Sequence, residues 1–328
     1  MNRISKPDLV ACLDQMAQSG GLIAPRAVDD VLLYRPVQQA GEIVWEYIRP
    51  VLSIKEFFFA PTEHMLRIEK NGNEVRITET LPQEKQVIFG VRPCDARGLL
   101  ALDALFLENE PRDIYYARRR ENTTLIGLAC EYPGSTCFCT RMGGALDDPQ
   151  GMDVMLTLQD EEYTVQALTS KGQALLQSWG IAAAIEPAPV REYKARIPNL
   201  EAWPPQFDDA FWQQFSERCL SCRACSYVCP TCRCFDVRDE IVLNDEGSQV
   251  YERIRVWDAC TGEPYRRVAG GHNPRPEKGM RLRNRFYCKF YYYPQQYGPL
   301  ACTGCGRCID SCPVNVDITE VLDYMEKR

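Results

Sequence analysis

Two copies of one short cysteine pattern lie near the C-terminus of this sequence. The cysteines are Cys219, Cys222, Cys225 and Cys229 in the first copy and Cys302, Cys305, Cys308 and Cys312 in the second. Each copy reads C-x2-C-x2-C-x3-C-P, which is the spacing of bacterial ferredoxins. Four thiolates at this spacing suit a four-iron, four-sulfur ([4Fe-4S]) cluster, so the sequence predicts two such clusters.

The fourth cysteine of each copy is expected to bind the cluster of the other copy. Three cysteines at steps of three lie on successive turns of a tight loop, so their sulfurs converge, whereas the fourth precedes a proline and points away. One cluster would be held by Cys219, Cys222, Cys225 and Cys312, and the other by Cys302, Cys305, Cys308 and Cys229. Zinc is the alternative, but a zinc site needs four ligands and not a third evenly spaced cysteine in both copies.

Composition indicates a reduced, soluble protein. With 45% hydrophobic and 25% charged residues, the 328-residue chain has a globular balance and is long enough for two domains. The N-terminus lacks the apolar core of a signal peptide, and no apolar run reaches the length of a membrane span. The cysteines are therefore expected to bind metal in a reducing cytoplasm. The net charge of −7 argues against a general nucleic-acid binder.

The first half of the chain predicts an α/β domain whose mixed sheet contains parallel strands. Residues 86–91 and 124–129 are short apolar runs typical of buried strands, and residues 99–106 between them have helical periodicity. Strand, helix and strand in this order form a βαβ unit, which implies parallel strands covered by helices. Residues 65–78 and 152–168 alternate around turn sequences and predict two hairpins.

Three further segments predict helices. Residues 7–17, 171–179 and 318–327 place apolar residues at helical spacing. Cys12 lies within the first of these segments, and we expect its thiol to be part of the core.

Prolines indicate where the domains divide. They are Pro187, Pro189, Pro198, Pro204 and Pro205. Such crowding is typical of a linker. The sequence therefore predicts an α/β domain over residues 1–183, a linker over residues 184–206, and a helical two-cluster ferredoxin-like domain over residues 207–328.

Four more cysteines follow the strands of the predicted βαβ unit. Cys94 follows the first strand, Cys130 follows the second, and Cys137 and Cys139 lie in the next loop. Because the carboxyl ends of parallel strands open on one edge of a sheet, these four thiols are predicted to converge on a third iron-sulfur cluster. Unligated thiols, with Cys94 acidified by the helix start, and a zinc site are the alternatives. No glycine-rich phosphate fingerprint follows either strand, so a bound dinucleotide is not expected.

The 72 residues between the two ferredoxin-type copies exceed what a compact ferredoxin needs. They contain Cys232, Cys234, Cys260 and Cys288. Since the two runs already supply eight ligands, these four cysteines are expected to line the clusters. The alternative is that some of them replace a cysteine of the runs as a cluster ligand. Residues 251–290 carry ten Lys or Arg against four Asp or Glu, which indicates a solvated basic face, a patch that offsets cluster charge, or a dock for an acidic partner.

Several segments together resemble one family. They are residues 90–97, 128–130, 137–139, 219–234, 257–260 and 269–273 and the final cysteine run. They are similar to the beta subunit of cytoplasmic sulfhydrogenases (NAD(P)-linked nickel-iron hydrogenases) and to the related A subunit of anaerobic sulfite reductase, over roughly residues 45–328. The resemblance implies a subunit that passes electrons through its clusters between a flavin- and NAD(P)-binding subunit and a catalytic subunit of hydrogenase or sulfite-reductase type.

The residue types point to the same function. Cysteines dominate, whereas a Ser-His-Asp set, a carboxylate pair and a nucleotide loop are missing from the sequence. We therefore predict a non-catalytic electron-transfer subunit of a multisubunit oxidoreductase. The alternatives are a reductase whose substrate, a sulfur compound or disulfide, reacts at Cys94, Cys130, Cys137 and Cys139, and a metal-free docking scaffold built on the first domain.

Overall fold

The protein is described by a computed structural model that covers residues 2–186, 188, 195–245 and 248–328. Pro187 and Pro189 of the predicted linker lie outside the described residues. The strands are β1 (Asn2–Ser5), β2 (Leu22–Val28), β3 (Val31–Pro36), β4 (Thr62–Asn71), β5 (Glu74–Glu79), β6 (Gln86–Val91), β7 (Thr123–Leu128), β8 (Val154–Gln159), β9 (Glu162–Ala167), β10 (Phe235–Asp245) and β11 (Ser248–Trp257). The helices are α1 (Lys6–Gln18), α2 (Pro93–Phe106), α3 (Ile114–Asn122), α4 (Ser170–Ser178), α5 (Phe211–Ser216), α6 (Ala224–Tyr227), α7 (Lys278–Tyr287), α8 (Tyr293–Tyr297), α9 (Arg307–Asp310) and α10 (Ile318–Glu326).

A mixed seven-stranded sheet forms the first half of the chain, in the order β1-β9-β8-β7-β6-β2-β3. Its four central strands, β8, β7, β6 and β2, pair in parallel, and its outer pairs are antiparallel. Consecutive residues of β7 face opposite cores: Leu125 packs with α2, and Ile126 packs with α1. Helices therefore cover both faces of the sheet, and the predicted α/β fold class is confirmed.

The local predictions for this half hold, with differences of a few residues at the ends. The βαβ unit is β6-α2-β7, with α3 as an extra helix before β7. The predicted hairpins are β4-β5 and β8-β9, and the predicted helices are α1, α4 and α10. Cys12 lies on α1 and packs, partly buried, against the core, as expected. The sequence reasoning missed β1, β2 and β3, which pair at or near the edges of the sheet.

A second, antiparallel sheet joins the two halves of the chain, in the order β10-β11-β4-β5. The hairpin β10-β11 lies between the two cysteine runs, where only helices and loops were expected, and β11 pairs with β4 along its length. Behind this pairing, the buried Arg255 guanidinium contacts the carboxylates of Glu63 and Asp113. The second half of the chain therefore completes a sheet begun by the first, and the predicted domain boundaries remain a prediction.

The rest of the C-terminal half is helical, as predicted. Helices α5, α7 and α10 enclose a hydrophobic core rich in aromatic residues, and Trp212, Phe286 and Leu322 are part of it. Between α7 and α8 the chain makes one π-helical turn, Cys288–Tyr292. Such turns are rare and occur frequently at functional sites. No helix in the described ranges has both the length and the apolar character that crossing a bilayer requires.

Candidate metal centres

The two ferredoxin-type runs repeat one backbone conformation. Two and four residues after the first cysteine, both runs adopt positive φ angles: 55° at Ser221 and 69° at Arg223, then 69° at Gly304 and 77° at Gly306. One helical turn follows in each run, α6 in the first and α9 in the second. Left-handed conformations in non-glycine residues are held only where the surroundings enforce them. The two runs are therefore structural repeats, as their spacing predicts.

The first predicted ligand set surrounds one cavity. Its sulfur-bearing lining residues are Cys219, Cys222, Cys225, Cys308 and Cys312. Leu282, Phe286 and Ile318 make much of the remaining wall apolar. The structure thus brings Cys312 of the second run to the three leading cysteines of the first. This is the arrangement that crossed ligation requires, although ligation itself remains a prediction.

The second predicted set lies deeper in the protein. Cys229, Cys302 and Cys305 are buried. Burial raises the pKa of Cys308, and the nearby thiols of Cys305, Cys229 and Cys302 raise this pKa further, while Arg285 lowers it. The effect of Cys305, Cys229 and Cys302 on the pKa of Cys308 shows that these four thiols lie close together in a buried place.

Buried cations lie beside both sets. The Lys289 ammonium donates to the Cys229 sulfur at 3.2 Å, and the Arg285 guanidinium donates to the Cys225 carbonyl at 2.9 Å. Both side chains are buried, as is Arg281, whose guanidinium donates to backbone carbonyls including that of Thr261. Much of the basic stretch 251–290 is therefore not a solvated face, and its buried part favours the charge-offsetting interpretation.

The N-terminal cysteines converge at the edge of the seven-stranded sheet. Cys94, Cys130, Cys137 and Cys139 line one cavity. Cys94 is in the first turn of α2, directly after β6, and Cys130 follows β7. The buried Arg92 side chain fixes this edge, because it donates to the carbonyls of Ala129 at 2.9 Å and of Ile48 at 3.0 Å. The convergence expected from the βαβ topology is present.

The N-terminal cavity directly adjoins the second ferredoxin-type run. Cys305 of that run also lines the cavity. The Phe138 amide, between Cys137 and Cys139, donates to the Gly304 carbonyl at 2.8 Å. A Cβ atom at residue 304 would lie 2.6 Å from the Phe138 backbone. Only glycine allows this approach, so the glycine that sets the loop conformation also lets the two sites touch.

Two arginines connect these sites electrostatically, and the sequence reasoning missed both. Arg307 and Asp95 form a fully buried bidentate pair, with N–O distances of 2.5 and 2.8 Å. Arg49 donates to the Cys137 sulfur at 2.9 Å. For the Arg307–Asp95 pair, the sequence did contain one indication: Asp95 directly follows Cys94, and Arg307 directly precedes Cys308 within the second run.

Two thiols of the N-terminal site, Cys94 and Cys130, have raised pKa values. Burial raises the pKa of Cys94 well above its ordinary value and raises that of Cys130 to about 11. The acidified Cys94 of the thiol alternative is therefore disfavoured, although Cys94 does lie at a helix start.

The spacing of the thiols bears on the zinc alternative. Within the part of the chain that the structure describes, no group of three or more His, Cys, Asp or Glu is close enough together to hold a single metal ion. The ligands of a zinc ion all contact one atom, whereas those of a four-iron cluster each contact a different iron and lie farther apart.

Comparison with known proteins agrees with this arrangement. Residues 218–316 match the model of the 4Fe-4S dicluster domain. The chain is 33% identical to sulfhydrogenase 2 subunit beta of Pyrococcus furiosus over 333 aligned residues, which cover 96% of this chain and 95% of the relative. This chain belongs to the sulfhydrogenase beta-subunit family. No solved structure matches it.

Family membership confirms the resemblance expected from the sequence. A sulfhydrogenase beta subunit with a dicluster domain and seventeen cysteines supports an iron-sulfur electron-transfer role. The number of clusters, the partners and the direction of electron flow belong to the proposal that follows.

Proposed function

We propose that this sulfhydrogenase-type beta subunit carries electrons between a flavin- and NAD(P)-binding subunit and a catalytic subunit of hydrogenase or sulfite-reductase type. One observation carries the proposal: three cysteine groups adjoin one another in series. Bound [4Fe-4S] clusters supply one-electron transfer. The reduced thiols that hold them suit a reducing compartment, and we therefore propose the cytoplasm as its location.

The middle position in this series belongs to Cys229, Cys302, Cys305 and Cys308. Cys308 also lines the cavity of the first group, and Cys305 also lines the N-terminal cavity. Each neighbouring site therefore shares a wall with the middle one. We propose that Cys219, Cys222, Cys225 and Cys312 hold one cluster, that the middle group holds the second, and that the N-terminal cysteines hold the third.

The chain's cations have a defined role in this proposal. Arg49, Arg285 and Lys289 donate to cysteine sulfur or to the backbone of a cysteine run. Four thiolates in a buried site repel one another, and nearby positive charge offsets that repulsion. Hydrogen bonds and net charge around the sulfurs also set cluster potential, so these residues are expected to make reduction easier.

The proposal is tested on anaerobically purified chain, alone and with its partner subunits. Iron and acid-labile sulfide should count about twelve per chain for three four-iron clusters, or about sixteen if the further site argued below is also loaded. NAD(P)H should bleach the visible iron-sulfur absorption only when the flavin subunit is present. The variant Cys12→Ser, which changes a core thiol outside every proposed site, is the control.

Two results would overturn this function. One is NADH oxidation or sulfite reduction by the flavin-free chain alone, since either activity would make it an enzyme. The other is a dithionite-reduced chain that has no paramagnetic signal from the ferredoxin-type pair.

A further inference from the structure

A fourth group of cysteines lines a cavity of its own. Cys232, Cys234, Cys260 and Cys288 all line one cavity. Apart from Cys12, these are the cysteines left over after the two ferredoxin-type runs and the N-terminal site. As spare thiols they are expected to line the other clusters, and the structure places all four on one further cavity.

Three elements bring these thiols together. Cys232 and Cys234 lie in the turn after the first run, directly before β10, and Cys260 follows β11. Pairing of β10 with β11 holds the two ends of the hairpin side by side, and the Asp258 amide donates to the Cys234 carbonyl at 2.9 Å. As a result, the Cys234 and Cys260 thiols are hydrogen-bonded to each other. Cys288 begins the π-helical turn after α7.

Positive charge surrounds this cavity. The Arg285 guanidinium donates to the Cys232 sulfur at 3.3 Å, and the Arg233 guanidinium donates to the Cys288 sulfur at 3.5 Å. Arg266, Arg275 and Lys289 complete the cationic part of the lining. A cluster held by four thiolates carries net negative charge, and such a wall would stabilise it.

We propose that Cys232, Cys234, Cys260 and Cys288 hold a further iron-sulfur cluster of the four-iron type. Four thiols around one cavity match the ligand number of a four-iron cluster, and the cationic wall suits its net negative charge. Nothing in the matched dicluster domain accounts for these four, since that domain takes two clusters and the two runs supply eight ligands. The inference rests on the proposed electron-transfer function.

The position of this site makes it a branch of the series. The Cys232 thiol is hydrogen-bonded to Cys229 of the middle group, and Lys289 contacts Cys229 while lining the new cavity. The middle group therefore has three neighbouring sites. Arg266 and Tyr292 on the wall are exposed, so the new site is open to a redox partner from the surface.

The test is metal and sulfide content per chain in the full-length protein, compared between wild type and the double variant Cys234→Ser/Cys260→Ser. The variant should contain about four fewer irons and four fewer sulfides, because one four-iron cluster is lost. The ferredoxin-type paramagnetic signals should stay at wild-type intensity. Cys12→Ser is the matched control and should lose nothing.

Other outcomes are equally decisive. Iron content equal to wild type, or loss of about one zinc instead of iron, would overturn the fourth cluster. If the double variant loses all its iron through misfolding, the single variant Cys288→Ser decides, and it must lack about four irons. Ferredoxin-type signals missing from wild type would instead refute the proposed function, so the two failures are distinguishable.

Discussion

The ferredoxin-type pair and the N-terminal site gather their thiols in different ways. In the pair, three cysteines of each set come from one seven-residue loop, and only the fourth comes from elsewhere. In the N-terminal site, Cys94, Cys130 and the Cys137–Cys139 loop meet only because β6 and β7 lie side by side in the sheet. In the first kind of site, the local spacing of the cysteines positions the ligands. In the second kind, the strand topology positions them. We therefore expect mutations to affect the two sites differently.

The largest effect is expected for Cys225→Ala. It should remove one ferredoxin-type cluster, about four irons, and weaken the signal of the other, because in the proposed crossed ligation each run supplies ligands to both clusters. Iron analysis and spin counting on the reduced protein measure this. Both paramagnetic signals at full strength would show that the two sets are independent.

Cys94→Ser should have a more confined effect. The N-terminal cluster should be lost, again about four irons, while both ferredoxin-type signals remain. The reason is that the four proposed ligands of this cluster belong to neither run, although Cys305 of the second run also lines the cavity. If the same iron count and spectra show a collapse of the ferredoxin-type signals, the contrast between local and topological sites fails.

Asp95→Ala probes the contact between the two regions. It leaves Arg307 buried without its carboxylate, which should lower the free energy of unfolding by about 3–5 kcal/mol. Denaturant unfolding under anaerobic conditions measures the change. The control is Glu162→Ala, whose partner Arg3 is half exposed, and there the loss should be at most about 1 kcal/mol. Equal losses in both variants would mean that the buried pair does not hold the regions together.

The smallest effect is expected for Gly304→Ala, which presses a methyl group onto the Phe138 backbone. Gly72→Ala is the matched control, because Gly72 has a similar φ of 61° but open space where its Cβ would be. The difference between the two losses in unfolding free energy should be about 1–3 kcal/mol, the usual cost of overpacking. No difference would mean that the two loops separate easily.

Local patterns made much of this molecule predictable. The alternation of residues 65–78 and 152–168 and the apolar runs that became β6 and β7 gave the right elements, because burial on one or both faces fixes such periods. The spacing of the cysteine runs likewise gave two repeats. The convergence of Cys94 with Cys130 followed from one topological rule about parallel strands.

What could not be predicted depends on pairing across long sequence separations. The hairpin β10-β11 pairs with β4 through β11. The local sequence of either segment does not indicate which distant strand is its partner. The Arg307–Asp95 pair joins residues 212 positions apart, and a charged residue gives no periodic signal of being buried. The fourth cavity was missed for the same reason, because Cys234 and Cys260 meet only once that hairpin has formed.

The pairing of β11 with β4 also constrains how the chain reaches its native state. Arg255 and Glu63 are 192 positions apart, so β4 and β5 leave the ribosome long before the strand that covers them. Loops of this length close slowly, and an unpaired strand edge is a template for aggregation until its partner arrives. The first cysteine run also leaves the ribosome before β11 does, so that run is synthesised before the sheet begun near the N-terminus can be completed.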